Sequence, residues 1–183
     1  KTMSVASLPI LNVSELHGPN KNSFIHALRE AAHGPGFCYI EGHGIAAELE
    51  MRLLDEARTF FHLPEDERRS IAIGNSPHFR GYTILGDEHT AGVRDWRDQI
   101  DIGADEPAPP LAPDDPPWQR LRGPNQWPVQ VPGLKAAVLP WLEQMRTLAI
   151  TLMRALAVGL GQDAGRFDDA ITGAPYPRVK IIR

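Results

Sequence analysis

The chain has 183 residues, a length that suits one domain, and its 42% hydrophobic and 23% charged side chains are ordinary values for a globular protein. Its formal net charge of −4 argues against a surface for nucleic acid or anionic membrane, because both need a basic patch. A single cysteine excludes an internal disulfide framework, and no apolar run is long enough to cross a bilayer. We expect a cytoplasmic protein with neither nucleic acid nor membrane as a partner, and the oligomeric state stays open.

The first seventy residues predict two short strands and three helices. Residues 8–13 form a short apolar run with an early proline, which favours an edge strand. Apolar residues at steps of three and four then predict one helix that ends before Gly34 and another that begins near Ile45. Pro64 with a following acidic turn predicts a short third helix over residues 64–69.

Between the first two helices lies an aromatic and β-branched run at residues 37–40, which predicts a buried strand. Each flanking helix has one apolar stripe to bury. We therefore expect Phe37 and Ile40 to be buried between the helices that carry Leu28 and Leu53.

The middle of the chain is rich in glycine and proline. Residues 81–85 and 99–102 predict short strands, and the proline-rich tract 106–117 predicts an extended surface excursion. No internal repeat is evident.

A long helix is predicted from Leu134 to Leu156, kinked or restarted at Pro140. A short helix capped by Asp163 and a final strand at residues 178–183 follow it. Short strands beside several helices indicate either a small α+β layer or a sheet that further sequence completes.

Five segments carry motifs. They are GFCYIEGHGI at residues 36–45, FFHLPEDER at 60–68, RGY at 80–82, DWRDQIDIG at 95–103 and GPNQWP at 123–128. In content and order they resemble the motifs of the isopenicillin-N-synthase-like iron(II)/2-oxoglutarate-dependent dioxygenases, with mild departures such as Cys38 and Gly42.

The resemblance implies an α+β fold in which residues 1–183 are one N-terminal region. That region would supply the helical layer and first strands of a double-stranded β-helix (jelly-roll) oxygenase, and the catalytic β-helix core is expected after residue 183. The full-length protein would use Fe(II) and 2-oxoglutarate, with dioxygen and a small organic molecule as substrates and succinate as a product. The alternative is a non-catalytic helical scaffold or interaction module.

The family's iron site needs a His-x-Asp and a distant histidine, which leave open positions for co-substrate and dioxygen. None of the seven histidines here is followed two positions later by Asp or Glu. We therefore expect no catalytic or metal-binding residue and no bound cofactor in this chain, and no activity from it alone.

Arg80 and Tyr82 are the candidate substrate-binding residues, because the RGY motif borders the substrate entrance in the family that the chain resembles. The alternative for Arg80 is an ion pair with a surface carboxylate. His43 sits between glycines and predicts a packed side chain bonded to backbone, and Cys38 predicts an inert buried thiol.

Two further groups are assigned structural roles. An ion-pair cluster is predicted for Arg94, Asp95, Arg97 and Asp98. Loop anchors are predicted for Trp118, Asn125 and Trp127.

Overall fold

The computed structural model describes residues 7–172 and 176–183. Contacts between residues divide the chain into two compact units, one of Lys1–Ile45 with Met145–Pro175 and one of Ala46–Gln144 with Tyr176–Arg183. Over the described ranges, no helix combines the length and apolar character needed to span a membrane. The organisation of residues 1–183 as one N-terminal oxygenase region stays a prediction.

The described residues form both helices and strands. The helices are α1 (Lys21–His33), α2 (Ala47–His62), α3 (Glu65–Arg69), α4 (Pro132–Gly159) and α5 (Asp168–Ile171), and 3-10 turns lie at Val13–His17, Ile73–Asn75 and Pro117–Leu121. The strands are β1 (Ile10–Asn12), β2 (Tyr39–Glu41), β3 (Gly81–Thr83), β4 (His89–Thr90), β5 (Val93–Arg94), β6 (Gln99–Gly103) and β7 (Arg178–Ile182). The α+β class is therefore confirmed.

The first unit is built on the parallel pair of β1 and β2, in which Leu11 lies opposite Ile40. Residues directly opposite each other share one face of a sheet, so both side chains point toward α1 and the last four turns of α4. The buried residues of this core are Leu11, Val13, Phe24, Ile25, Leu28, Ala31 and Ala155.

The prediction that Phe37 is buried is wrong. Phe37 is 72% exposed and Tyr39 is 62% exposed, whereas Cys38 and Ile40 pack against the first unit's core. Side chains alternate between the two faces of an extended segment, so a single buried face takes only every second residue. The run at residues 37–40 is therefore half-buried and not fully buried.

The second unit contains an antiparallel sheet with strand order β3-β6-β7. Tyr82 lies opposite Ile100, and Ile100 lies opposite Ile181, so these three side chains share one face. That face packs against α2 and the first turns of α4. The buried residues of this core are Leu53, Phe60, Phe61, Ile71, Tyr82, Ile100, Ile102, Val131, Leu134, Ala137 and Val138.

One helix prediction is confirmed with a narrower outcome, and another needs correction. The long helix is α4, which continues through Pro140 and does not restart there, whereas a kink at Pro140 stays a prediction. The fixed backbone angle of proline is compatible with a helix even though one hydrogen bond is lost. Asp163 does not cap α5: its carboxylate accepts a hydrogen bond from Gly165 N at 2.8 Å, which closes a separate turn. Helix α5 begins five residues later, without a side-chain cap.

Candidate functional site

A polar cluster lies at the core face of the three-stranded sheet. The Tyr82 hydroxyl from β3 donates to Asp98 Oδ2 at 3.1 Å, just before β6 begins. Arg68 Nη1 donates to both groups, at 2.6 Å to Tyr82 and 2.9 Å to Asp98. Arg183 Nη2 donates to the same Asp98 oxygen at 2.9 Å. One buried carboxylate therefore joins β3, β6, β7 and the end of α3.

The Tyr82 hydroxyl stays protonated at neutral pH. Burial, followed by the nearby negative charge of Asp98, raises the pKa of Tyr82 to about 12, and the positive charge of Arg68 opposes this only in part. A protonated hydroxyl can donate to Asp98 while it accepts from Arg68. The geometry makes Tyr82 a hydrogen-bond bridge and does not make it a base.

Arg80 is a buried arginine of this unit, with 1% of its surface exposed. Its Nη1 donates to the carbonyl of His78 at 2.7 Å and to that of Phe79 at 3.3 Å. Its Nη2 donates to the carbonyl of Leu121 at 3.1 Å, and both nitrogens lie 3.2 Å from the Tyr176 hydroxyl. The partners are carbonyls and a hydroxyl, not the surface carboxylate considered above.

A second set of polar side chains lies on the other face of the sheet. Asp101 Oδ2 accepts from Gln99 Nε2 at 2.9 Å, and Asp101 Oδ1 accepts from Arg178 Nη2 at 3.1 Å. Lys180 Nζ lies 3.8 Å from Asp101 Oδ1 and 3.4 Å from Glu88 Oε1. The side chain of Asp101 is fully buried. Its negative charge is compensated by Arg178 and Lys180, whose side chains are partly exposed.

The loop after β6 is held by Asn125, whose side-chain amide donates to Gly103 O at 2.9 Å and whose oxygen accepts from Gly103 N at 2.8 Å. Asp105 accepts hydrogen bonds from Asn125 N at 3.0 Å and from Trp127 Nε1 at 3.2 Å, and pairs with Lys135 at 2.7 Å. Asn125 and Trp127 are confirmed as loop anchors. The side chain of Trp118, in contrast, is exposed.

Arg80 and Tyr82, predicted from the RGY motif, are both buried and are bonded to separate partners of their own chain. Contact of either with a substrate stays a prediction. His43 Nδ1 accepts from Ile45 N at 3.1 Å, which confirms a backbone-bonded histidine. Cys38 is half-buried and has a free thiol.

The predicted ion-pair cluster forms only in part. Arg97 pairs with Asp95 at 3.0 Å and with Glu88 at 3.3 Å. Asp98 instead joins the tyrosine cluster, and Arg94 stacks on the ring of Trp96 at 5.6 Å. The positions of Asp95 and Asp98 along the chain did not indicate which of the two carboxylates would be buried at the sheet.

Sequence reasoning missed Gln99 and Asp101 as functional candidates. The sequence signal was the alternation of polar and apolar side chains over residues 99–102, and the structure shows that β6 is buried at every position. Over residues 7–172 and 176–183 there is no group of three or more His, Cys, Asp or Glu side chains that could hold a metal ion.

A protein-family model matches a large part of this chain. The family model described as "non-haem dioxygenase in morphine synthesis N-terminal" matches residues 8–130. The chain belongs to this family. It is a member of the iron(II)/2-oxoglutarate-dependent dioxygenase superfamily of the isopenicillin-N-synthase-like type, and it corresponds to the N-terminal region of those proteins.

The chain is also similar in sequence to curated proteins. The chain is 34% identical to the 2-oxoglutarate-dependent dioxygenase frbJ of Dothideomycetidae sp. (strain 11243), over 99% of this chain and 49% of that protein. It is 29% identical to the homoarginine-6-hydroxylase 2-ODD-C23 of Glycine max, over 97% of this chain and 56% of that protein. The chain thus spans about half the length of the curated relatives it matches.

Solved structures show the same fold. A C-terminally truncated Neurospora crassa protein in apo form, whose full-length counterpart was solved in complex with alpha-KG, aligns with a TM-score of 0.74 at 22% identity, over 96% of this chain and 61% of that one. A putative 2OG-Fe(II) oxygenase family protein from Caulobacter crescentus aligns with a TM-score of 0.71 at 21% identity, over 88% and 51%.

Proposed function

We propose that this chain is the N-terminal portion of a non-haem iron(II)/2-oxoglutarate-dependent oxygenase that acts on a small organic molecule. In the complete enzyme, oxidation of that molecule by dioxygen would accompany decarboxylation of 2-oxoglutarate to succinate. The observation that carries the proposal is the family match over residues 8–130, which contains the five motifs in order. The enzyme is expected in the cytoplasm.

The described residues support a structural and substrate-side role for this portion. They hold a sheet whose one face is closed by a hydrophobic core and whose other face carries Gln99, Asp101, Arg178 and Lys180. Because they include no group that could hold a metal, iron and 2-oxoglutarate would be bound by other residues of the whole protein. The β-helix core would follow the strands described here.

The test uses two proteins side by side: the whole protein encoded by the reading frame that contains this chain, and the 183-residue chain alone. Iron(II) and 2-oxoglutarate are added without air, the visible absorbance of chelated 2-oxoglutarate is recorded, and succinate is measured after oxygen is admitted. We expect both signals from the whole protein and neither from the 183 residues. A whole protein that gives neither signal would overturn the proposed function.

A substrate-side role for the RGY motif is tested in the whole enzyme with Arg80→Ala and Tyr82→Phe. If either residue contributes to substrate binding, KM rises; if it acts only in the transition state, kcat falls instead. Unchanged kcat and KM in both variants would contradict that role.

A further inference from the structure

A cavity lies within the first unit, between the 3-10 turn at Val13–His17, helix α1 and the last turns of α4. Its volume is about 300 Å³, at the lower end of the range for small-molecule sites, and it opens to solvent. The apolar wall is aliphatic and consists of Leu16, Ile25, Ala155 and Val158. Ile25 and Ala155 belong to the buried core of this unit, so the packing of the fold holds this wall in place.

The charged and basic side chains at this cavity all carry nitrogen. They are His17, Lys21 and Arg154, and no Asp or Glu of the described residues lines the cavity. The whole chain has a net charge of −4, so an opening without a carboxylate differs from the average of the surface. The cavity is therefore complementary to an anion that carries an apolar portion.

Lys21 is a cation that the fold leaves without compensation. Its ammonium group makes no ion pair or hydrogen bond with another described residue. Lys21 is the first residue of α1, and the first turn of that helix contains no acidic side chain. A positive charge is unfavourable at this end of a helix, because the helix dipole places a partial positive charge there as well. A bound anion would offset both charges.

Arg154 has its charge balanced but keeps a donor available. Its Nε and Nη2 donate to the two carboxylate oxygens of Asp168, at 3.0 Å and 2.8 Å. Its Nη1 has no such partner among the described residues. The pair of Arg154 and Asp168 is neutral as a whole, and Lys21 adds one positive charge. This sum favours a ligand with a single negative charge over a dianion such as a phosphate monoester.

We propose that this cavity binds an aliphatic monocarboxylate of the size of a medium-chain fatty acid. The carboxylate would accept charge-assisted hydrogen bonds from Lys21 and from Arg154 Nη1. The alkyl tail would lie against Leu16, Ile25 and Val158 and leave water. A volume of about 300 Å³ holds about ten non-hydrogen atoms if each takes the share of one water molecule, about 30 Å³, and octanoate has this size. This binding goes beyond the proposed oxygenase function and needs neither iron nor 2-oxoglutarate.

The experiment measures octanoate binding by isothermal titration calorimetry to the whole protein encoded by the reading frame that contains this chain, prepared without iron. Acetate lacks the alkyl tail, and octylamine has the tail with the opposite charge. Lys21→Gln removes the uncompensated charge, and Arg29→Gln is its matched control on the same helix, outside the lining of the cavity. Val158→Trp fills the opening, and Leu160→Trp is its control, because Leu160 is also exposed but does not line the cavity.

We expect octanoate to bind the parent with a Kd of about 1 mM or lower, and acetate and octylamine to bind at least about tenfold more weakly. Lys21→Gln should weaken octanoate binding by about fivefold, the upper end for an ion pair at an exposed site. Val158→Trp should weaken it by about tenfold or more. The two control variants should stay within about twofold of the parent.

Urea unfolding verifies that each variant is folded, and Val158→Phe serves if Val158→Trp is not. Unchanged octanoate binding in folded Lys21→Gln or in a folded Val158 variant would overturn the proposal. So would acetate or octylamine binding as tightly as octanoate, or no octanoate binding up to about 10 mM. Binding to the 183-residue chain but not to the whole protein would show that another segment fills the cavity, which also overturns it. None of these outcomes depends on succinate release, so they are distinguishable from failure of the oxygenase proposal.

Discussion

The hydroxyl of Tyr82 and the carboxylate of Asp98 form a 3.1 Å hydrogen bond inside the second unit, where both residues are buried. The tyrosine side of the pair is neutral, so the negative charge of Asp98 is balanced by Arg68 and Arg183. Removal of a buried carboxylate that pairs with two arginines destabilises the folded state, because the positive charges of the arginines lose their compensation.

Asp98→Asn should therefore lower the free energy of unfolding by about 3 kcal/mol. The amide has no charge to offset Arg68, whose side chain is 12% exposed and pairs with Asp98 at 2.9 Å. Urea denaturation followed by circular dichroism measures the loss.

The matched control for this change is Asp55→Asn, which removes an ion pair with Arg58 in which both side chains are well exposed. Solvent screens such a pair, so the expected loss is below about 1 kcal/mol. The interpretation of Asp98 as a buried electrostatic centre is contradicted if both variants lose the same stability.

Gly81→Ala should be strongly destabilising. Gly81 has a φ of +119°, and a Cβ there would collide with the carbonyl oxygen of Ile71. Strain and backbone collision together should cost more than about 3 kcal/mol in urea unfolding.

Gly92→Ala separates the two causes, because Gly92 has a φ of +81° and open space where its Cβ would lie. Strain alone should cost about 1 kcal/mol. A Gly81→Ala variant no less stable than Gly92→Ala would show that the β3 backbone moves to accept the methyl group.

The order and type of most elements follow from local sequence. The spacing of Phe24, Leu28 and Ala31 predicted α1, and the short run around Ile100 predicted β6, because amphipathic periodicity records which face meets a core. The five motifs predicted the family, and some of their residues have a local structural role, such as Gly81 and Asn125.

The candidate site was less predictable, since it depends on pairings between distant segments. The bond between Arg80 and the Leu121 carbonyl joins residues 41 positions apart, and no local pattern indicates it. The positive φ of Phe79 likewise has no signal in the local sequence, because a phenylalanine by itself favours an extended strand. The sequence therefore indicated Arg80 as important but not its role.

Phe60→Ala and Phe37→Ala should differ sharply in their effects on stability. Phe60 is fully buried and makes edge-on ring contacts with Phe61 and Tyr82, at centroid distances of 5.4 Å and 5.5 Å. Its truncation should cost about 3–5 kcal/mol through lost burial and a cavity. Phe37 is largely exposed, so its truncation should stay within about 0.5 kcal/mol.

Unfolding in urea, measured for both variants under one condition, checks this contrast. A loss at Phe37 as large as that at Phe60 would restore the expectation of a fully buried strand at residues 37–40.

The carboxylate of Asp105 should make folding stability depend on pH in the acidic range. Burial acts to raise the pKa of Asp105, but hydrogen bonds from Lys135, the Asn125 backbone and Trp127 outweigh it, so the pKa lies below its ordinary value of 3.8. The folded protein therefore binds the proton less readily than the unfolded chain does. The stabilisation is complete above about pH 5 and is lost as the pH falls past 3.8 and through the lower folded pKa.

Asp105→Asn should accordingly have a shallower loss of stability on acidification than the parent, and the two urea midpoints should converge as the pH falls from about 6 to about 3. Lys135→Gln provides an independent check, because it removes the hydrogen-bonding partner at 2.7 Å and leaves the carboxylate in place. The side chain of Lys135 is half exposed, so added salt should weaken the effect. Parallel pH profiles for the parent and Asp105→Asn across this range would show that the Asp105 carboxylate does not contribute to the acid sensitivity of the fold.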